Sequence, residues 1–133
     1  MPLHNPSFVA EIDLGSSLFV KHSGTGKNNQ VTLAVDGDAP IIGVTHEGSR
    51  EAPIPGVTPL VAKAGEAVRV YGPGETCEVI AGAAVAAGKH VMADSAGKAI
   101  EATAGKYYGG RALTGAATSE KLQIQVEPGQ LNA

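Results

Sequence analysis

Four histidines, one cysteine and one close pair of aspartates are the side chains of this chain whose types could do chemistry. His4, His22, His46 and His90 are the candidate metal ligands. None stands in a His-x-x-x-His pattern or in a His/Cys pair at metal-binding spacing. His22 and His46 fall at the ends of separate strand candidates and could meet in space, but scattered histidines of this kind read as surface or structural residues. Cys77 lies in Glu75-Thr76-Cys77-Glu78. A nucleophilic thiol needs an electropositive setting, and flanking glutamates supply the opposite, so a buried structural cysteine is expected. Asp36-Gly37-Asp38 lacks the further oxygen ligands and the closing glutamate of a calcium loop, and reads as a polar turn. Gly24-Thr25-Gly26-Lys27 has part of a phosphate loop without its full spacing or its following helix. No Gly-x-Ser-x-Gly elbow is present. The expectation is a protein that is not an enzyme, with no metal and no cofactor.

The elements that would have to position any site are short strands. The chain has 18 glycines and 8 prolines in 133 residues, a density that suits tight turns. Between them run Leu18-Phe19-Val20, then Val31, Leu33 and Val35 at every second position, then Ile41-Ile42-Gly43-Val44. Val68 and Val70 alternate in the same way, and Cys77-Glu78-Val79-Ile80 begins another strand. The series continues through 91–94, 100–102 and 111–113. Leu122-Gln123-Ile124-Gln125-Val126 is the cleanest alternation. The Ala-rich stretch 81–88 has helix propensity, but it is short and bounded by Gly82 and Gly88, so it reads as turn and strand.

Composition narrows the function classes. Ten basic and thirteen acidic residues give a net charge of −3, with no Lys/Arg cluster. Phosphate neutralisation is therefore not expected, and neither is a nucleic-acid partner. No apolar run approaches a membrane span, and the first residues lack the pattern of a signal peptide. A soluble protein made in a cytosol is expected, with no membrane partner. Apolar residues make up 43% of the chain, yet Phe8, Phe19, Tyr71, Tyr107 and Tyr108 are its only aromatics, which predicts a thin core of Ala and Val.

An internal repeat organises the chain. Gly15-x-x-Leu18-Phe19-Val20 matches Gly88-x-x-Val91-Met92-Ala93. The turn 23–27 matches 95–98, and Gly43-Val44-Thr45 matches Gly110-Arg111-Ala112. Glu66-Ala67-Val68-Arg69-Val70 matches Glu120-Lys121-Leu122-Gln123-Ile124, and both copies end in Pro-Gly. The copies span about 15–74 and 88–129, with a proline-rich insertion at about 47–64. The expected architecture is all-β: one domain over 15–133, a small pseudo-twofold barrel or sandwich of two related units. Pro2 and Pro6 block a helix at the start, so residues 1–14 read as an extended N-terminal arm. Its candidate contact residues are Leu3, His4, Asn5, Pro6, Phe8 and Val9.

The spacing Val79-x-x-Gly82-x-x-Val85-x-x-Gly88-x-x-Val91 resembles biotinyl and lipoyl carrier domains, but Lys89 and Lys98 lie outside the carriers' modification motifs. A carrier or small ligand-binding β domain is the alternative reading. The same stretch, 78–91, with 94–100, Gly110-Arg111-Ala112-Leu113 and Leu122-Gln123-Ile124-Gln125-Val126, resembles the capsid cement (head decoration) proteins of tailed phages. The resemblance covers about 65–127 directly and 15–64 through the repeat. It implies a β-rich structural protein that binds the outer surface of an assembled head and stabilises it. The implied partners are the major capsid protein and further copies of itself, as a trimer in preference to a dimer at a local symmetry axis. The implied location is the virion.

Overall fold

Every regular element among the described residues of the computed structural model is a strand, as the glycine and proline punctuation predicts. The structure describes residues 8–23, 29–37, 39–45 and 60–131. The strands are β1 (Phe8–Ala10), β2 (Leu14–Gly15), β3 (Phe19–His22), β4 (Gln30–Leu33), β5 (Ile41–Thr45), β6 (Leu60–Ala62), β7 (Ala67–Val68), β8 (Val70–Tyr71), β9 (Thr76–Ile80), β10 (His90–Ala93), β11 (Ala99–Glu101), β12 (Tyr107–Ala112) and β13 (Lys121–Gln130). The Ala-rich stretch contributes only single bridges at Ala81 and Val85, with Gly88 at φ +87°.

The strands form a six-stranded sheet in the order β7-β1-β4-β3-β5-β8 and a five-stranded sheet in the order β11-β10-β12-β13-β9. A two-stranded ribbon joins β2 to β6. The sheets pack as a sandwich and do not close into a barrel. The first sheet nevertheless curls hard, because its two edge strands, β7 and β8, are separated by Arg69 alone. The alternation at Val68 and Val70 is thus split at Arg69 between opposite edges, one half pairing with β1 and the other with β5.

The repeat is visible in the topology. Within the first sheet, β4-β3-β5-β8 is an antiparallel run, and β11-β10-β12-β13 is the same run in the second. The likeness extends outward: β1 lies antiparallel to β7 as β9 does to β13. β1 also pairs parallel to β4, and Ala81, just past β9, bridges parallel to Ala99 of β11. Side chains repeat it too. Glu66 Oε1 accepts the Lys63 N–H at 2.8 Å, and Glu120 Oε1 accepts the Ala117 N–H at 2.8 Å.

This pairing corrects the expected boundary of the arm. Phe8–Ala10 is an inner strand of the first sheet and Leu14 begins β2, so residues 8–14 belong to the domain. The physical reason is local. Ala10 is fully buried and its N–H donates to the Glu66 carbonyl at 2.9 Å, so the apolar Phe8-Val9-Ala10 run completes its own sheet. Residues 1–7, and most of the 47–64 insertion, lie outside the described residues.

Two apolar clusters hold the units. One fills the first unit with Ala10, Leu14, Val20, Val31, Ala62, Val68 and Val70. The other fills the second unit and receives Phe19, Ala34, Ile41 and Val44 from the first. Adjacent residues of a strand point to opposite faces, so Phe19 and Val20 enter different clusters. Both are fully buried, which is why Leu18-Phe19-Val20 reads as a continuous apolar run. On β13 only Leu122, Ile124 and Val126 are buried, so the alternation there marks one covered face. Phe19 alone contributes roughly 1.5–3 kcal/mol by leaving water. A hydrogen-bonded seam adds to the junction of the units: Phe19 N–H to the Gly97 carbonyl at 2.9 Å, Ile80 N–H to Ser17 at 3.0 Å and Gly74 N–H to Val126 at 2.8 Å.

Candidate interaction surface

The residues singled out for chemistry are dispersed by the fold. Cys77 is buried on β9, within the apolar cluster of the second unit. His22 is exposed at the end of β3, and His4 and His46 lie outside the described residues. His90 packs its ring on Tyr108 with centroids 4.2 Å apart. Asp36 and Gly37 form a turn with φ of +53° and +66°; Asp38, like the turn 24–28, lies outside the described residues. Lys98 sits in a turn folded around Asp94, whose Oδ1 accepts the N–H groups of Ala96 at 2.8 Å and Lys98 at 3.0 Å. Lys89 is exposed in the segment before β10. Among the described residues, no three His, Cys, Asp or Glu side chains are grouped to hold a metal ion.

The structure gathers apolar residues instead. An open groove of about 380 Å³ is lined by Phe8, Ile41, Ile42, Val70, Gly72, Pro73, Glu75 and Pro128. Each wall has a local cause. Phe8 opens β1 and is half-buried, packed against the first cluster. Ile41 and Ile42 open β5 and point to opposite faces, the first buried and the second half-buried. Val70 belongs to β8, and the chain then turns at 72–75. There Glu75 Oε1 accepts the Gly72 N–H at 2.9 Å and Gly74 takes φ +87°. That turn is tied to β13 because the Val126 N–H donates to the Glu75 carbonyl at 2.8 Å. Pro128 comes from the end of β13, beyond its pairing with β9. Glu75 brings a carboxylate to an otherwise apolar lining.

Of the six candidate contact residues, Phe8 is a wall of this groove. Val9 is half-buried between β4 and β7, with its N–H donated to the Asn29 carbonyl at 2.8 Å. Leu3, His4, Asn5 and Pro6 lie outside the described residues. Sequence reading missed Ile41, Ile42, Pro73 and Pro128 as surface-forming residues. A signal for two of them was present: the Pro-Gly pairs that end both copies of the repeat supply two prolines to one groove.

Comparison with known proteins bears on the fold. No protein-family model matches the chain, and no curated protein matches it. Among solved structures it is similar to the N base of head fiber gp8.5 of bacteriophage phi29, with a TM-score of 0.57. That likeness covers 93% of this chain and 93% of the phi29 chain, at 15% sequence identity. The all-β sandwich is therefore one that a phage head fiber base also adopts.

Proposed function

We propose that this protein is a non-catalytic structural component of a phage head. It binds the outer surface of the assembled capsid and stabilises it through repeated contacts at a local symmetry axis. The observation that carries the reading is the fold shared with a head fiber base over 93% of both chains. The second support is the resemblance of residues 65–127 to the capsid cement proteins. Its partners are the major capsid protein and further copies of itself, as a homotrimer in preference to a dimer. Each contact can be weak, because copies held together by symmetry bind far more tightly than one alone. The protein is made in the host cytoplasm and ends on the virion surface. It uses no cofactor and takes neither nucleic acid nor membrane as a partner. Residues 3–6, with Phe8 and Val9 at their base, supply the head contact.

Co-sedimentation with expanded and unexpanded phage heads tests this. Saturation at a fixed stoichiometry on one form is expected, and absence of binding to any head overturns the proposal. Deleting residues 2–7 tests the contact itself while sparing β1. Head binding is expected to fall, and unchanged binding removes those residues from the contact.

A further inference from the structure

The groove is apolar except for one charge, the Glu75 carboxylate, set among walls that include Phe8, Ile42, Val70, Pro73 and Pro128. Glu75 Oε1 accepts the Gly72 N–H at 2.9 Å, and among the described residues no cation pairs with the carboxylate. Its position is fixed from two sides. The Gly74 N–H donates to the Val126 carbonyl and the Val126 N–H donates to the Glu75 carbonyl, each at 2.8 Å. The same capped turn recurs at 117–120, where Glu120 Oε1 accepts the Ala117 N–H at 2.8 Å, but Glu120 is exposed and lines no part of the groove. Capping uses one oxygen of Glu75. The other is left for a partner.

These walls select the chemistry of an occupant. A segment that covers the apolar walls also strips water from the carboxylate. A charge that loses its water and gains no partner is strongly unfavourable, so a purely apolar segment is disfavoured and an acidic one is repelled. A lysine or arginine set among apolar side chains meets both demands, because it covers the walls and neutralises Glu75. At about 380 Å³ the open groove has room for a few side chains of an extended segment and not for a folded surface. Two prolines and a turn pinned to β13 have little freedom to lose on binding. We infer that the groove docks an extended segment of the capsid protein, one that carries a lysine or arginine between apolar residues. The identity of that partner rests on the reading of this protein as a head component. Phe8 belongs both to the proposed head contact and to the groove, so the two form one continuous surface.

The first test uses isolated full-length protein, and so does not depend on heads. The probes are two dye-labelled pentapeptides, Leu-Pro-Lys-Pro-Leu and the same peptide with Gln in place of Lys, followed by fluorescence anisotropy. The parent is expected to prefer the Lys peptide several-fold. Glu75→Gln keeps an oxygen to cap the Gly72 N–H and removes the charge, so it is expected to abolish the preference. Glu120→Gln makes the same change at the equivalent turn and is expected to preserve it. No binding of the Lys peptide by the parent, or an equal preference in the parent and Glu75→Gln, overturns the inference. The second test is co-sedimentation with heads. Glu75→Gln is expected to bind them at least roughly tenfold more weakly than the parent, as when one partner of a desolvated charge pair is removed. Equal binding by the two overturns the groove as the docking site while the head reading stands. A Lys preference that requires Glu75, with no head binding by the parent, upholds the groove and overturns the head reading.

Discussion

The two units of this protein share a strand order and differ in what their outward faces touch. In the first unit, Val20 of β3 points inward and Phe19 points outward, and both are fully buried because the second unit lies on the outer face. In the second unit, Ala93 of β10 points inward, and Met92 holds the place that the repeat gives to Phe19. Met92 is covered mainly by turns: its sulfur lies near Gly37 and receives the Thr103 hydroxyl at 4.0 Å. A duplicated β unit therefore keeps its inward pattern, because each copy needs an interior. The outward pattern diverges, because the first unit's outer face packs into the core cluster of the second, whereas Met92 on the second unit's outer face meets only turns, the first unit's Gly37 turn among them.

The largest effect is expected where that difference is greatest. Phe19→Ala leaves a cavity between the units and should cost about 3–5 kcal/mol, the range for a deleted buried aromatic. Met92→Ala, at the matching position, should cost about 2 kcal/mol, near the lower end for a buried large-to-small change. Chemical denaturation of both variants measures the difference. Equal costs would mean that the outer faces are equally engaged, and the comparison would fail.

Two glycines sharpen the contrast on a smaller scale. Gly97 and Gly105 both adopt left-handed backbone, at φ +78° and +82°. A side chain at Gly105 would meet nothing within 4 Å, whereas at Gly97 it would meet Leu33 Cδ1 at 2.5 Å and the Phe19 carbonyl at 3.3 Å. Gly105→Ala should cost about 1 kcal/mol from backbone strain alone. Gly97→Ala adds crowding at the junction of the units and should cost about 2–4 kcal/mol. Thermal unfolding of the pair separates strain from packing. Matching midpoints would show that Leu33 moves aside freely.

Much of the strand content was legible, because period-two alternation and glycine punctuation are local signals. Leu122, Ile124 and Val126 announced a one-faced strand and are all fully buried. The repeat was legible because equivalent turns need equivalent residues. Two things were not. The arm boundary failed because Phe8-Val9-Ala10 is too short to show a periodicity, and its place in the sheet depends on partners at 29–31 and 66–68. The groove was hidden because its walls come from β1, β5, β8 and the end of β13, joined by no local pattern. The break at Arg69 is of the same kind: alternation through Val68 and Val70 looks unbroken, and only the curl of the sheet sends its halves to opposite edges.

The smallest effect concerns a turn that the two units share. Lys63–Glu66 and Ala117–Glu120 are built alike, with the glutamate carboxylate accepting the first N–H and the glutamate N–H donating back to the first carbonyl. The third residue takes left-handed backbone in both, at φ +85° for Gly65 and +72° for Ser119. In the first unit the chain uses the residue that adopts this conformation without strain; in the second it does not. Relief of strain at Ser119 is offset in part by the greater freedom that glycine gives the unfolded chain. Ser119→Gly should therefore stabilise the protein by about 0.5–1 kcal/mol, and Gly65→Ser should destabilise it by a similar amount. Opposite shifts of similar size in the unfolding midpoint would show that the two turns are physically equivalent. A destabilising Ser119→Gly would show that the second turn has acquired a use for its serine that the first does not share.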